Sequence, residues 1–415
     1  MNTFKYLEVS PNSQLGVTAE NRSESAFKMP RVSCALAALL LFLLINFSSG
    51  RLLGHCIKDR FALQNRDGCW WAVRHFKDLT YKPDIVLAGS SLMCRIINEG
   101  DATFLNRSIN ALAHYRCEHL EQLLSSDKPV KTASLAVGGM NASDVDSLIP
   151  SLLMGSKKPA AIVYGIGPRD LFDNSLVSPA DTSPYKLAQK IGAVSDQIQM
   201  LARPTREAKF KYKANKILYS LFPLYAYQEE LTVVFRRWLK TILARELPKP
   251  PTSLNQPFGF IEQAQLNLIP PDVENYCLVK PDDPLHPDRF DFNNNYCLSY
   301  NPFKPALYYR QLFFLRHFVQ YCNREGIRLI LIKMPLRSDN FNLMPANFYK
   351  IYSDDVDRLA KESKACVINA SAVCQFSDER DFTDTVHMSG RGASRLVEAM
   401  APLIRKYLAE NGKPN

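Results

Sequence analysis

Five short apolar runs recur along the chain: Ile85–Ala88, Ala133–Val137, Ala161–Gly165, Leu329–Ile332 and Cys366–Ile368. Each is brief, partly β-branched, and free of the every-other-residue polarity of a half-solvated strand. That is the pattern of strands buried on both faces of a parallel sheet. Segments with helical spacing alternate with them: His114–Leu124, Ser143–Leu153, Leu307–Asn323, Asp354–Lys364 and Ser389–Leu408. The alternation predicts an α/β fold, a three-layer sandwich with a central, mainly parallel sheet and right-handed crossovers.

A sixth apolar run is of another kind. Val32–Gly50 carries 19 residues without a charge, about the length needed to cross a hydrocarbon core of ~30 Å as a helix. A cleaved signal peptide is the rival reading. About thirty residues precede the run, more than an ordinary charged leader, so an uncleaved anchor is the expectation. Lys28 and Arg31 before the run and Arg51, Lys58 and Arg60 after it orient it only weakly. Residues 1–31, rich in Ser, Asn and Glu to residue 27, read as a disordered tail, and 32–50 as a transmembrane anchor. The α/β body then falls in two parts, 51–179 and 307–415.

Residues 180–306 interrupt the strand–helix rhythm. The first part, to Leu247, reads as helical, and between Arg203 and Lys249 stand 11 Lys/Arg against 4 Asp/Glu. Most of the chain's net charge of +10 therefore sits in one insertion. Apolar residues are interleaved with that charge, from Ile217 to Tyr225 and at Phe235, Trp238 and Leu239. Such helices either lie on a membrane surface or pack as a solvated layer on the core. From Pro248 to Pro305 stand 11 of the 26 prolines, which excludes long helices and predicts an irregular cap. The basic balance suits anionic neighbours such as lipid headgroups or acidic polymers. With no nucleic-acid motif present, nucleic acid is not an expected partner. Ten cysteines without a CxxC pair argue against a zinc site. They are either all reduced or, in an oxidising compartment, partly paired, with Cys277 and Cys297 the best pair.

Four segments carry chemistry. Asp84–Met93 runs an apolar strand into Gly89-Ser90-Ser91-Leu92 ahead of a helix, which puts a serine at the carboxyl edge of the sheet beside helix N–H groups. Ser134–Asn141 ends a strand in Gly138-Gly139, whose backbone can approach a ligand closely, or is an ordinary turn with Asn141 or Ser143 as helix cap. Ile162–Asp170 ends in Gly167-Pro168-Arg169-Asp170, where Arg169 can donate to an anion or join a loop network with Asp170 or Asp173. Finally, Asp384 and His387 stand three apart before the last helix. There a carboxylate can orient an imidazole that takes a serine proton. His114, His119, His286 and His317 have no metal-like spacing and read as surface or structural groups. Lys333-Met-Pro335 follows the Leu329–Ile332 run and either lines the same carboxyl edge or is a plain loop, the latter being the expectation.

In this order the four segments resemble the blocks of the SGNH/GDSL hydrolase superfamily, over roughly residues 82–175 and 326–408. The resemblance implies a flavodoxin-like α/β sandwich with Ser91 as nucleophile, Gly139 as an oxyanion donor and Asp384 with His387 as the acid–base pair. No metal or organic cofactor is implied. Two positions depart from the pattern: Ser90 stands where the first block has Asp, and Arg169 where the third has Asn, so that Arg169 or Asn174 becomes the candidate replacement donor. A Gly-Ser-Ser block on a single span is similar to the membrane-tethered branch that includes lipoteichoic acid D-alanylation and alginate O-acetylation proteins. That similarity implies a single-pass envelope protein, its catalytic domain on the extracytoplasmic side. It would be an esterase or O-acyltransferase for a cell-envelope glycan or lipid, with a multi-span acyltransferase as a possible partner. The alternative is a catalytically degenerate protein of this fold that binds an anionic polymer or such an acyltransferase.

Overall fold

The computed structural model describes residues 34–410 apart from 65, 127, 154–156, 177, 193, 244–277, 283–290 and 292. The tail at 1–31, His286, Cys277 and thus the proposed cysteine pair, and most of the proline-dense stretch lie outside the described residues. The core is a parallel sheet of β1 (Ile85–Gly89), β2 (Thr132–Ser134), β3 (Ala161–Ile166), β4 (Arg328–Lys333) and β5 (Cys366–Asn369), in the order β2-β1-β3-β4-β5. Register runs Ile85 to Ala161 and Ala161 to Arg328 across the middle strands. Every residue of β1, β2 and β3 is buried, as the unbroken apolar runs require. The chain is thus an α/β protein with helices on both faces of one sheet.

Two helices pack on one face of the sheet behind β1: α3 (Ser91–Phe104), which follows β1 directly, and the C-terminal α11 (Gly390–Glu410). Helix α4 (Glu118–Leu124) joins them. Four others lie together: α2 (Gly68–Asp78), α5 (Ala142–Leu152), α9 (Pro305–Arg324) and α10 (Phe348–Ser363). Since β1→β2 steps one way and β2→β3→β4 steps the other, right-handed crossovers put their helices on opposite faces. The strand order reverses beside β1, so a crevice opens at the carboxyl ends of β1, β2 and β3.

Boundaries differ from expectation where side chains outbid periodicity. Residues 114–117 are not helical. Asp101 on α3 accepts from the backbone N–H of Glu118 at 2.6 Å and of His119 at 3.1 Å, so it caps α4 from outside and fixes the start at Glu118. The run at Ala133–Val137 leaves the ladder at Ser134, although the N–H groups of Leu135 and Val137 still bond to Leu87 and Gly89. Helix α10 begins at Phe348, earlier than the expected Asp354.

At the N-terminus, α1 (Cys34–Cys56) is long and apolar enough to span a membrane, with a mean hydropathy of 1.9. The insertion supplies α6 (Arg206–Leu221), a turn at Pro223–Ala226 and α7 (Gln228–Leu243), then α8 (Asn293–Tyr300) over the crevice.

Candidate active site

The serine is set by its turn. Gly89 closes β1 with φ +145°, and a Cβ there would lie 2.6 Å from the Gly165 carbonyl oxygen of β3. Only glycine lets the two strands come so close. Ser90 then takes extended angles as N-cap, and Ser91 is the first residue of α3. Its N–H belongs to the first turn of a helix, where backbone donors have no intrahelical acceptor.

Asp384 and His387 come from the loop between β5 and α11. That loop is tied to itself by the Thr383 N–H to the His387 carbonyl at 2.9 Å and the Ser389 N–H to the Asp381 carbonyl at 2.9 Å. Arg337 and Asn340 hold Thr385 from the β4 side. Asp384 is 1% exposed. One oxygen accepts from the N–H of Val386 at 2.8 Å and of His387 at 2.7 Å, and the other meets His387 Nδ1 at 2.6 Å. Burial alone would raise the Asp384 pKa. Even so, it lies below the ordinary carboxylate value, because His387 and those N–H donors favour the charged form. A carboxylate only accepts, so Nδ1 carries the proton and Nε2 is left to receive one. His387 Nε2 stands 2.7 Å from Ser91 Oγ. The structure therefore joins Ser91, His387 and Asp384, almost 300 positions apart in the chain, in one line of hydrogen bonds.

A cleft opens beside Ser91. Gly139 borders it at φ +77°, where no neighbour crowds the glycine and the backbone angle alone selects it. Its carbonyl accepts from the Asn141 side chain at 3.2 Å. Arg169 borders it too. Its Nε donates to Asp173 at 2.7 Å, and its guanidinium carbon lies 5.3 Å from the centre of the Tyr296 ring. Asp170, on the floor, accepts from the Gly167 N–H at 2.8 Å and from the Ser90 hydroxyl. Burial pushes its pKa up to about 7.

Asn174 is not brought to the cleft. Its amide donates to the Pro302 carbonyl at 2.8 Å and its N–H to the Ser299 carbonyl at 2.9 Å, so it fastens the segment after α8. The other singled-out groups have partners elsewhere: His114 with Asp101 at 2.7 Å, His317 with Asp146 at 2.7 Å, His119 stacked on Phe104, and Lys333 with Asp357 at 2.8 Å. Among the described residues no three His, Cys, Asp or Glu side chains are placed to hold a metal.

The sequence did not point to several lining residues, among them Tyr296 and Tyr300 from α8, Leu336 after β4, and Val386 between the pair; Asn141, expected as a helix cap, caps α5 and lines the cleft as well. Val386 could have been found from its place inside Asp-x-x-His. Nothing local marks the two tyrosines, which reach the cleft across the insertion.

No family model matches the chain, and no curated protein does. Among solved structures, one titled "Crystal Structure of TesA" aligns over 78% of this chain and 98% of its own at 11% identity, with a TM-score of 0.33. That likeness is too distant to bear on chemistry, which is read from the residues themselves.

Proposed function

We propose that the protein is a membrane-anchored serine esterase or O-acyltransferase of the SGNH type, acting on acyl esters of an envelope glycan or lipid. The hydrogen-bonded line Ser91–His387–Asp384 carries this reading. Ser91 Oγ attacks the acyl carbonyl carbon as its proton passes to His387 Nε2. The N–H groups of Ser91 and Gly139 hold the oxyanion, and Arg169 stands by as a further donor or as the clamp for an anionic substrate. As the tetrahedral centre collapses, the bond to the leaving oxygen breaks. His387 returns its proton to that oxygen, and an acyl-Ser91 ester remains. Water then gives hydrolysis and a sugar hydroxyl gives transfer. Asp384 holds the imidazole in the tautomer that accepts at Nε2 and steadies the imidazolium.

The cleft suits a short acyl group. Leu92, Leu336 and Val386 offer apolar contact near Ser91, and Arg169, Asp173 and Asn141 offer polar contact for the acceptor. Helix α1 anchors the body to the membrane, with the cleft on the extracytoplasmic side.

The test is p-nitrophenyl acetate hydrolysis by the full chain in detergent, beside Ser91→Ala and His387→Ala. Turnover that falls to background in both variants supports the enzyme. Equal background in all three removes simple esterase activity. A catalytically degenerate protein that holds an anionic polymer or an acyltransferase would then lead.

A further inference from the structure

The insertion bends sharply at Phe222–Pro223, between α6 and the Pro223–Ala226 turn, and this elbow packs along α1. Glu230 at the start of α7 is fully buried between Arg60, just beyond α1, at 2.7 Å and Lys190 at 2.6 Å. One step further along, Tyr227 lies against Gly54, then Pro223 against Gly50, where an added Cβ would sit 2.3 Å away. Asn46 follows, and beyond it Phe42, whose ring centre is 6.0 Å from that of Phe222. At 1.5 Å per residue, Asn46 lies about 6 Å and Phe42 about 12 Å inside the Gly50 end of the uncharged run. Phe222, beside Phe42, therefore reaches more than a third of the way across a ~30 Å hydrocarbon core.

Asn46 is 2% exposed on a helix whose leucines are mostly bare. Its amide donates to the Leu221 carbonyl at 3.4 Å and accepts from the Leu224 N–H at 3.1 Å. These are backbone groups at the helix break. Irregular backbone at bilayer depth persists only where protein satisfies its polar groups, and here a side chain of the span does so. The sequence fits the same depth: Ile217–Gln228 carries no charge, whereas α6 from Arg206 to Lys216 carries five basic residues. Lys216 pairs at 3.2 Å with Asp196, in the part of the insertion that precedes α6. Ile217, Leu218, Leu221 and Tyr225 of the elbow remain exposed, an apolar surface that a solvated layer would not carry.

We infer that α6, the elbow and α7 form a re-entrant membrane element. Its uncharged tip sits in the hydrocarbon, clamped to the span by Asn46, while the basic part of α6 lies among anionic headgroups. The inference rests on α1 being the anchor. It gives the soluble body a second point of attachment, which fixes its height and tilt over the bilayer.

The test uses the full chain in vesicles of phosphatidylcholine and phosphatidylglycerol that contain a lipid with a photoactivatable diazirine in its acyl chain, with adducts mapped by mass spectrometry. The expected result is labelling of Cys34–Gly50 and of Ile217–Gln228, each at least fivefold above Tyr309 and Phe313, which are exposed on the soluble body. Labelling of α1 with Ile217–Gln228 no higher than those controls overturns the re-entrant element and leaves the anchor standing. Labelling of neither overturns the anchor itself. In Asn46→Leu, the Leu224 amide is expected to exchange with deuterium at least tenfold faster than in wild type. Unchanged exchange would show that the amide does not clamp the elbow.

Discussion

Two buried carboxyls near Ser91 are driven in opposite directions. Asp384 keeps its charge because three donors face it, and its pKa is lowered. The stability it contributes is therefore fully present above an unfolded-state value of about 3.9, and it is lost only as pH falls through the lowered value. In Asp384→Asn the Nδ1 partner becomes a poorer acceptor and the tautomer is no longer fixed. Turnover is expected to fall about 10⁴-fold, and Tm at pH 7 to fall as well because the stability from the charged carboxylate is lost. Asp170 is the reverse case. Its pKa is raised from 3.8 to about 7, so its contribution is complete at low pH and lost as pH climbs through about 7. Asp170→Asn mimics the neutral form at every pH. Relative to wild type, its unfolding free energy is expected to improve between pH 4 and pH 8, by on the order of 4 kcal/mol. Denaturant titrations at several pH values check this, and a gap that does not change with pH would place the charge of Asp170 elsewhere. Both roles lay partly in view in the sequence. Asp-x-x-His gives the spacing of a pair, but the packing that makes one acid charged and another neutral comes from residues distant in the chain.

Among the elements, the strand-to-helix turn after β1 bears most on the site. Gly89→Ala would drive a Cβ into the Gly165 carbonyl at an angle that L-residues rarely adopt. A loss of about 2–4 kcal/mol is expected, together with displacement of Ser91, and thermal unfolding with an activity assay reads both. At Gly139 space is free and only the angle is unusual. Gly139→Ala is therefore expected to cost about 1–2 kcal/mol of stability and, if its N–H turns away, about 10²-fold in turnover. The strands were legible because burial on both faces leaves uninterrupted apolar runs with no polar alternation. The start of α4 was not, because its cap, Asp101, belongs to another helix and reaches it through space. Nor were Tyr296 and Tyr300, which lie in a proline-dense stretch where an irregular cap was expected and yet sit on a two-turn helix. Arg169 was legible as a group at the cleft, and its alternative, Asn174, was not separable from it by sequence. Both follow the same strand, and only their partners, Asp173 for one and Pro302 for the other, tell them apart.

For the molecule as a whole, the sheet brings the ends of β1, β2 and β3 together, and the last loop closes over them. That arrangement is what a reversal of strand order produces. It explains how segments scattered from residue 89 to residue 387 share one cleft. The insertion was legible as basic and amphipathic, with its choice between membrane and core left open. Its packing along α1 through Asn46 and Gly50 bears on that choice, since neither residue stands out within an apolar run. If the body works against a surface, charge reversal on α6 at Lys211 and Lys213 is expected to lower photocrosslinking of α6 to phosphatidylglycerol headgroups in vesicles that hold the full chain, while p-nitrophenyl acetate turnover, read in detergent, stays within twofold of wild type. Equal headgroup crosslinking of α6 in variant and wild type would count against headgroup contact by α6.

The central claim is that Ser91 is an activated nucleophile. The most direct measurement is labelling of the full chain with a fluorophosphonate probe, the modified residue located by mass spectrometry. One adduct is expected, on Ser91, that disappears in Ser91→Ala and forms at least a hundredfold more slowly in His387→Ala. An adduct absent from wild type, or one on Ser91 formed at the same rate without His387, would contradict it.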